Sequence, residues 1–155
     1  MTNFKYNDGG RAKYFKGETG DCVTRAIAIG CDLDYKKVYD DLSNLSKTYA
    51  ITKNDKVAKK LKCAKTGTLN STSSRNGVFK KVYHSYIIKQ GFKWIPTMKI
   101  GQGCKVHLKE DELPKSKIIV QVSRHLTTMV DGVINDTYDC SRDGTRCVYG
   151  YYIKD

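Results

Sequence analysis

Cys22 is the residue of this chain best placed to act as a nucleophile. It follows Asp21, a residue type that often caps helix N-termini, and precedes an apolar stripe at helical spacing that includes Ile27. The pattern predicts a short helix that begins at Cys22 and ends near Gly30. A thiol in the first turn of a helix faces unpaired backbone N–H groups and the positive end of the helix dipole, which favour the thiolate.

A histidine and an aspartate far downstream could serve as its base and orienting acid. An Asp-Gly pair at positions 131–132 is a strong signal for a two-residue β-hairpin turn. The register of that hairpin places His125 and Asp136 on one face, about 7 to 8 Å apart at the backbone, and turns Asn135 to the other face. Taken singly, His125 could be a structural histidine and Asp136 a turn residue. Their conjunction with Cys22 predicts a nucleophile, its base and an orienting carboxylate.

The six cysteines allow other roles. Because the N-terminus lacks the apolar core of an export signal, we expect free thiols. A second Asp-Gly turn, at positions 143–144, would place Cys140 opposite Cys147 and permit a disulfide under oxidation. The same pair could join Cys104 and His107 in a zinc site, but neither half has a usual zinc-ligand spacing. We therefore predict no metal and no cofactor.

The net charge of +12, from 28 Lys+Arg against 16 Asp+Glu, predicts a positive field that attracts nucleic acid or acidic proteins. Seven lysines lie between positions 47 and 65, with only Asp55 opposing them. A solvated face explains this run best, because it lacks the arginine and aromatic residues that bind phosphates and bases. Arg142 and Arg146, near the second turn, are candidates for binding an acidic substrate.

Helices precede strands along the chain. A loop at 3–19, with one short strand, leads to the cysteine helix, and Asp34 caps a second helix whose apolar stripe ends at Leu45. Shorter helices are predicted near 53–61 and from about 76 to Gly91. Strand patterns follow at 92–95, 105–108, 118–122, 126–134 and 148–153. This order predicts an α+β fold, with N-terminal helices packed against a C-terminal antiparallel β-sheet.

A length of 155 residues without a linker predicts a single domain, 1–155, with a basic insertion at about 46–75. No stretch approaches the roughly 18 apolar residues of a membrane span. We therefore expect no membrane partner and a cytoplasmic location.

Two stretches resemble the papain-like cysteine peptidase superfamily, and especially its small members from phages and mobile elements. They are Gly20-Asp21-Cys22-Val23-Thr24-Arg25-Ala26 and the segment from Arg124 to Asp139. The resemblance implies a papain-like fold with Cys22 as nucleophile, His125 as base and Asp136 as the third member. It covers the cysteine helix and the last third of the chain, and leaves 46–75 unexplained.

The sequence departs from that family beside the nucleophile. Papain-like peptidases often carry a glutamine there that helps to form the oxyanion hole, whereas residues 16–21 contain none. The backbone N–H of Cys22 is a natural donor, and Thr19 is the best side-chain candidate for a second.

These observations predict a thiol hydrolase that cleaves peptide, isopeptide or related amide bonds in a protein substrate. If the chain is encoded by a phage, it would act on a host factor in the host cytoplasm. Two alternatives stay open: a basic, non-catalytic protein that binds nucleic acid or an acidic host protein, and a thiol-dependent acyltransferase with the same triad.

Overall fold

The computed structural model describes residues 3–17, 20–63, 78–99 and 101–154. The helices are α1 (Cys22–Cys31), α2 (Tyr35–Thr52), α3 (Lys56–Cys63) and α4 (Lys80–Lys89). The strands are β1 (Asn3–Tyr6), β2 (Phe92–Pro96), β3 (Lys117–Val122), β4 (His125–Val130), β5 (Val133–Asp136) and β6 (Val148–Lys154). The predicted α+β class is therefore confirmed.

The strands form one six-stranded sheet in the order β1-β5-β4-β3-β6-β2. Neighbouring strands are antiparallel except β1, which runs parallel to β5 with Phe4 opposite Ile134. The prediction of a purely antiparallel sheet was wrong in this respect. A short, exposed strand carries no sequence signal for its direction, because the rest of the chain decides which sheet edge it can reach.

The β4–β5 hairpin has the predicted register. Val130 pairs with Val133, and Met129 pairs with Ile134. The turn residues Asp131 and Gly132 have φ angles of 51° and 85°, as a two-residue turn with left-handed backbone at both positions requires. His125 begins β4 and Asp136 ends β5, so the antiparallel pairing brings both to the same end of the hairpin.

Helix α1 packs directly on the sheet. The hydroxyl of Thr128 on β4 donates to the carbonyl of Ala26 at 2.7 Å. Gly30 does not end the helix as predicted, because α1 continues to Cys31 and its C-cap is Asp32, whose φ of 54° is left-handed. The glycine instead permits close packing, since a Cβ there would lie 2.4 Å from Cγ1 of Ile119.

The other helices form close to their predicted positions. Asp34 caps α2, accepting a hydrogen bond from the backbone N–H of Lys37 at 3.3 Å. The segment predicted as a basic insertion begins inside α2 and continues through α3, while residues 64–77 lie outside the described part of the chain. Helix α4 starts at Lys80, a few residues later than predicted.

Apolar side chains cover both faces of the sheet. On the helical side they form a cluster comprising Val23, Ala26, Ile27, Ala28, Tyr35, Val38, Leu42, Val78, Val82, Tyr83, Tyr86, Ile87, Phe92, Ile119, Leu126 and Tyr152. The opposite cluster comprises Leu108, Leu113, Ile118, Val120, Val122, Met129, Ile134, Cys140 and Val148.

In the predicted strand at 105–108, the described structure has only an isolated bridge between His107 and Cys147. No helix in the described ranges is both long and apolar enough to cross a membrane.

Candidate active site

Cys22 is the first residue of α1, as the sequence predicted, and its thiol is free and partly buried. Asp21 occupies the N-cap position, but its side chain makes no capping hydrogen bond. The carboxylate is fully buried and instead accepts hydrogen bonds from the guanidinium of Arg25 and the hydroxyl of Tyr35. The carboxylate of Asp21 therefore does not occupy the N–H groups at the start of α1.

His125 and Asp136 make the hydrogen bond that the hairpin register predicts. Nε2 of His125 lies 2.7 Å from Oδ2 of Asp136, and both side chains are less than one-tenth exposed. Asn135 faces the other way and accepts a hydrogen bond from the side chain of Asn7 at 3.2 Å. The carboxylate holds Nε2 of the imidazole, so Nδ1 is the ring nitrogen that Asp136 does not contact.

The thiol of Cys22 and the ring of His125 line the same cleft. Burial by itself raises the pKa of Cys22, but the polar interaction with His125 and the charge of its ring bring it below the ordinary value. Burial by itself lowers the pKa of His125, but its hydrogen bonds, above all with Asp136, raise it well above the ordinary value. Opposite shifts of this kind favour a thiolate–imidazolium pair.

Sequence reasoning missed three residues that hold Asp136 in place. Oδ2 accepts a hydrogen bond from the hydroxyl of Thr127 at 2.7 Å and lies 3.7 Å from the Cys140 thiol, while Oδ1 lies 3.3 Å from Nη2 of Arg25. Burial by itself raises the pKa of Asp136, but the hydrogen bonds, first of all with His125, lower it below the ordinary value. Thr127 could have been found, since the hairpin register places it on the same face as Asp136.

The remaining predicted residues lie elsewhere. Thr19 lies outside the described residues. Arg146 donates hydrogen bonds to the carbonyls of Cys140 and Ser123, so it ties backbone segments together, and Arg142 is exposed on the turn. Neither arginine lines the cleft that contains the thiol.

The prediction that all the cysteines are free was wrong for one pair. Cys104 and Cys147 form a disulfide, because the bridge between His107 and Cys147 brings the two segments side by side. Cys140 does not face Cys147 as the second turn predicted, but is buried beside Asp136.

The alternative zinc site therefore does not assemble from its four predicted ligands. His107 lies against Glu112, 3.3 Å away. Within the described residues, His125, Asp136 and Cys140 do hold possible ligand atoms within 4.8 Å of one another. Nε2 of His125 and Oδ2 of Asp136 are already hydrogen bonded to each other. This contact favours a role for Asp136 in orienting the imidazole over a metal site.

Cys22 and His125 line an open cleft of about 1030 Å³ between the N-terminal loop, the start of α4 and the β3–β4 turn. Tyr138, half exposed, places its ring centre 5.4 Å from that of His125. The loop at 3–17 supplies one wall.

Comparison of the chain with protein-family models, with curated proteins and with solved structures finds no match. The assignment of a function depends on the geometry of this site.

Proposed function

We propose that this chain is a papain-like thiol hydrolase that cleaves amide bonds in protein substrates. One observation carries the proposal: a thiol at the start of a helix shares a cleft with a histidine whose ring is hydrogen bonded to a buried aspartate. This arrangement activates a nucleophile, supplies a proton for the leaving amine and holds the imidazole in one orientation. The resemblance of residues 20–26 and 124–139 to small phage peptidases supports the same assignment.

The reaction follows from the positions of these groups. The Cys22 thiolate attacks the carbonyl carbon, and the oxygen gains a negative charge next to the N–H groups at the start of α1. The His125 imidazolium then protonates the departing amine, which leaves an acyl group bonded to sulfur as a thioester. Neutral His125 next takes a proton from water and the hydroxide adds to the thioester. The intermediate collapses to release the carboxylic acid and the Cys22 thiolate, with His125 again protonated.

The experiment that tests the proposal compares wild type with Cys22→Ala and Cys31→Ala on a protein-derived peptide library. Cys31 lies at the other end of α1, so its variant controls for loss of a thiol from the same helix. We expect cleavage by wild type and Cys31→Ala, and none by Cys22→Ala with an unchanged unfolding transition. Undiminished cleavage by Cys22→Ala would refute the proposal.

An acyltransferase would use the same thioester and differ only in what accepts the acyl group. The cleft is open to solvent, so water has access to the thioester, which favours hydrolysis. Mass spectrometry of products formed with and without an added amine separates the two reactions.

A second candidate function is binding of nucleic acid or an acidic protein through the lysine-rich helices. Lys47, Lys53, Lys56 and Lys59 are exposed on α2, α3 and the connection between them, which favours this alternative. Binding that weakens steeply with salt and is retained by Cys22→Ala would support it.

A further inference from the structure

The cleft around Cys22 carries an excess of positive charge. Its described lining includes five basic and two acidic side chains. Arg11 and Arg25 are buried, and both lie within ion-pair distance of Asp21. These two arginines therefore belong to the support of the site and add little field to the open cleft.

Three cations at the cleft are placed differently: Lys16, Lys80 and Arg124 are exposed. None of them has a carboxylate partner within the described residues, where the ion pairs are formed by other side chains. The ammonium of Lys80 lies 3.8 Å from the centre of the Trp94 ring, which holds the charge near the cleft.

The two acidic side chains of the described lining offset these cations only in part. Both oxygens of Asp8 accept backbone N–H groups, from Gly10 at 2.9 Å and from Ala12 at 3.0 Å. Asp21 is fully buried among its own arginine partners. Arg124 immediately precedes His125, so its charge stands at the reacting end of the cleft.

We infer that the cleft selects peptides with aspartate or glutamate beside the scissile amide bond. This inference rests on the proposed thiol chemistry at Cys22, but the charge selectivity can be measured without turnover. A peptide fits better than a polynucleotide because the three cations come from separate segments around the thiol, whereas a nucleic-acid backbone is followed by a row of cations and stacking rings. Tyr6 and Tyr138 also line the cleft, and both are at least half exposed. Their rings offer apolar contact to the peptide residues on either side of the acidic one.

The test compares two small electrophiles that alkylate Cys22. Iodoacetate is anionic and iodoacetamide is neutral, and both react with the thiolate, so the ratio of their rates measures the field at the sulfur. We expect Lys80→Gln/Arg124→Gln to lower this ratio by about three- to tenfold at low salt. The matched control, Lys47→Gln/Lys53→Gln, removes the same charge from exposed positions outside the cleft and should leave the ratio within about twofold of wild type. Equal ratios in the two double variants would overturn the inference.

A competition experiment separates peptide from nucleic acid. A glutamate-rich peptide should slow the alkylation of Cys22 by iodoacetamide, and a lysine-rich peptide of equal length should not. Protection by a single-stranded oligonucleotide at concentrations where the acidic peptide gives none would overturn the choice of a peptide. If no peptide is cleaved while the alkylation ratio falls as expected, hydrolysis fails and the charge selectivity stands. If peptides are cleaved but Lys80→Gln/Arg124→Gln has the same alkylation ratio as the control variant, hydrolysis stands and the charge selectivity fails.

Discussion

Arg25 and Asp136 connect the helix that carries Cys22 to the hairpin that carries His125. Nη2 of Arg25 lies 3.3 Å from Oδ1 of Asp136, while Oδ2 of the same carboxylate accepts the hydrogen bond of His125. Arg25 follows Cys22 by three residues, nearly one turn of α1. The ion pair therefore fixes the distance between two elements that the chain separates by about a hundred residues.

Removal of the Arg25 guanidinium should weaken both the fold and the site. Arg25→Gln leaves the buried carboxylates of Asp21 and Asp136 without their shared cation, so we expect the free energy of unfolding to fall by about 3–5 kcal/mol. Arg25→Lys keeps the charge but not the fork that reaches two carboxylates, and should lie between wild type and Arg25→Gln. Urea unfolding measures the stability, and the alkylation rate of the folded protein measures the effect on Cys22. A wild-type value in both measurements for Arg25→Gln would contradict this role.

Only Cys22 among the described free cysteines should react with iodoacetamide at neutral pH. Its pKa lies below the ordinary thiol value, whereas burial raises the pKa of Cys31 to about 12, and Cys140 is enclosed. Peptide mapping by mass spectrometry after brief alkylation measures the selectivity. Equal labelling of Cys22 and Cys31 would show that the helix position does not activate the thiol.

The alkylation rate of Cys22 should rise less steeply with pH around neutrality than that of an ordinary thiol. For an ordinary thiol with a pKa near 8.5, the rate rises about a hundredfold between about pH 6 and about pH 8. The pKa of Cys22 is lowered by His125, so part of its titration moves to lower pH and we expect a smaller rise over that interval. In His125→Ala the remaining effect of burial raises the pKa of the thiol, and the steep dependence should return.

Asp136→Asn should reduce turnover far more than a change at the neighbouring position. An amide at 136 loses the charge that favours the imidazolium, so we expect kcat to fall by about 10² to 10⁴ with a smaller change in KM. It should also lower the pKa of His125 and bring the alkaline limit of the activity profile to lower pH. Asn135→Ala is the matched control, because its side chain points to the opposite face towards Asn7. Similar losses in the two variants would indicate that Asp136 acts only through stability.

Gly30→Ala should destabilise the protein without altering the chemistry of the site. The added Cβ would meet Ile119 on β3, so α1 must shift or the isoleucine must change rotamer, at a cost of about 1–3 kcal/mol. Thermal unfolding measures the loss, and the iodoacetamide rate of the folded fraction should equal that of wild type. An alanine variant as stable as wild type would show that the contact is easily relieved.

The sequence predicted features that depend on neighbouring residues. The apolar stripes of α1 and α2 and the cap of α2 are local, and the Asp-Gly turn at 131–132 sets the register of the β4–β5 hairpin. For that reason the shared face of His125 and Asp136, and the exclusion of Asn135 from it, could be predicted from residue types and spacing alone.

Contacts between distant segments could not be predicted in this way. The parallel pairing of β1 with β5, the disulfide between Cys104 and Cys147 and the contact of Gly30 with Ile119 each join parts of the chain whose separation carries no periodic signal. Cys140 shows the consequence, since a hairpin register predicted Cys147 opposite it and tertiary packing placed it beside Asp136 instead.

The position of Cys22 at a helix start and the pairing of His125 with Asp136 on a hairpin were therefore predictable from sequence. Only the tertiary structure brought the helix to the hairpin. It did so through the hydrogen bond of Thr128 to Ala26 and the buried ion pair of Arg25 with Asp136, because apolar periodicity shows which face of a helix is buried but not which charged group it meets there.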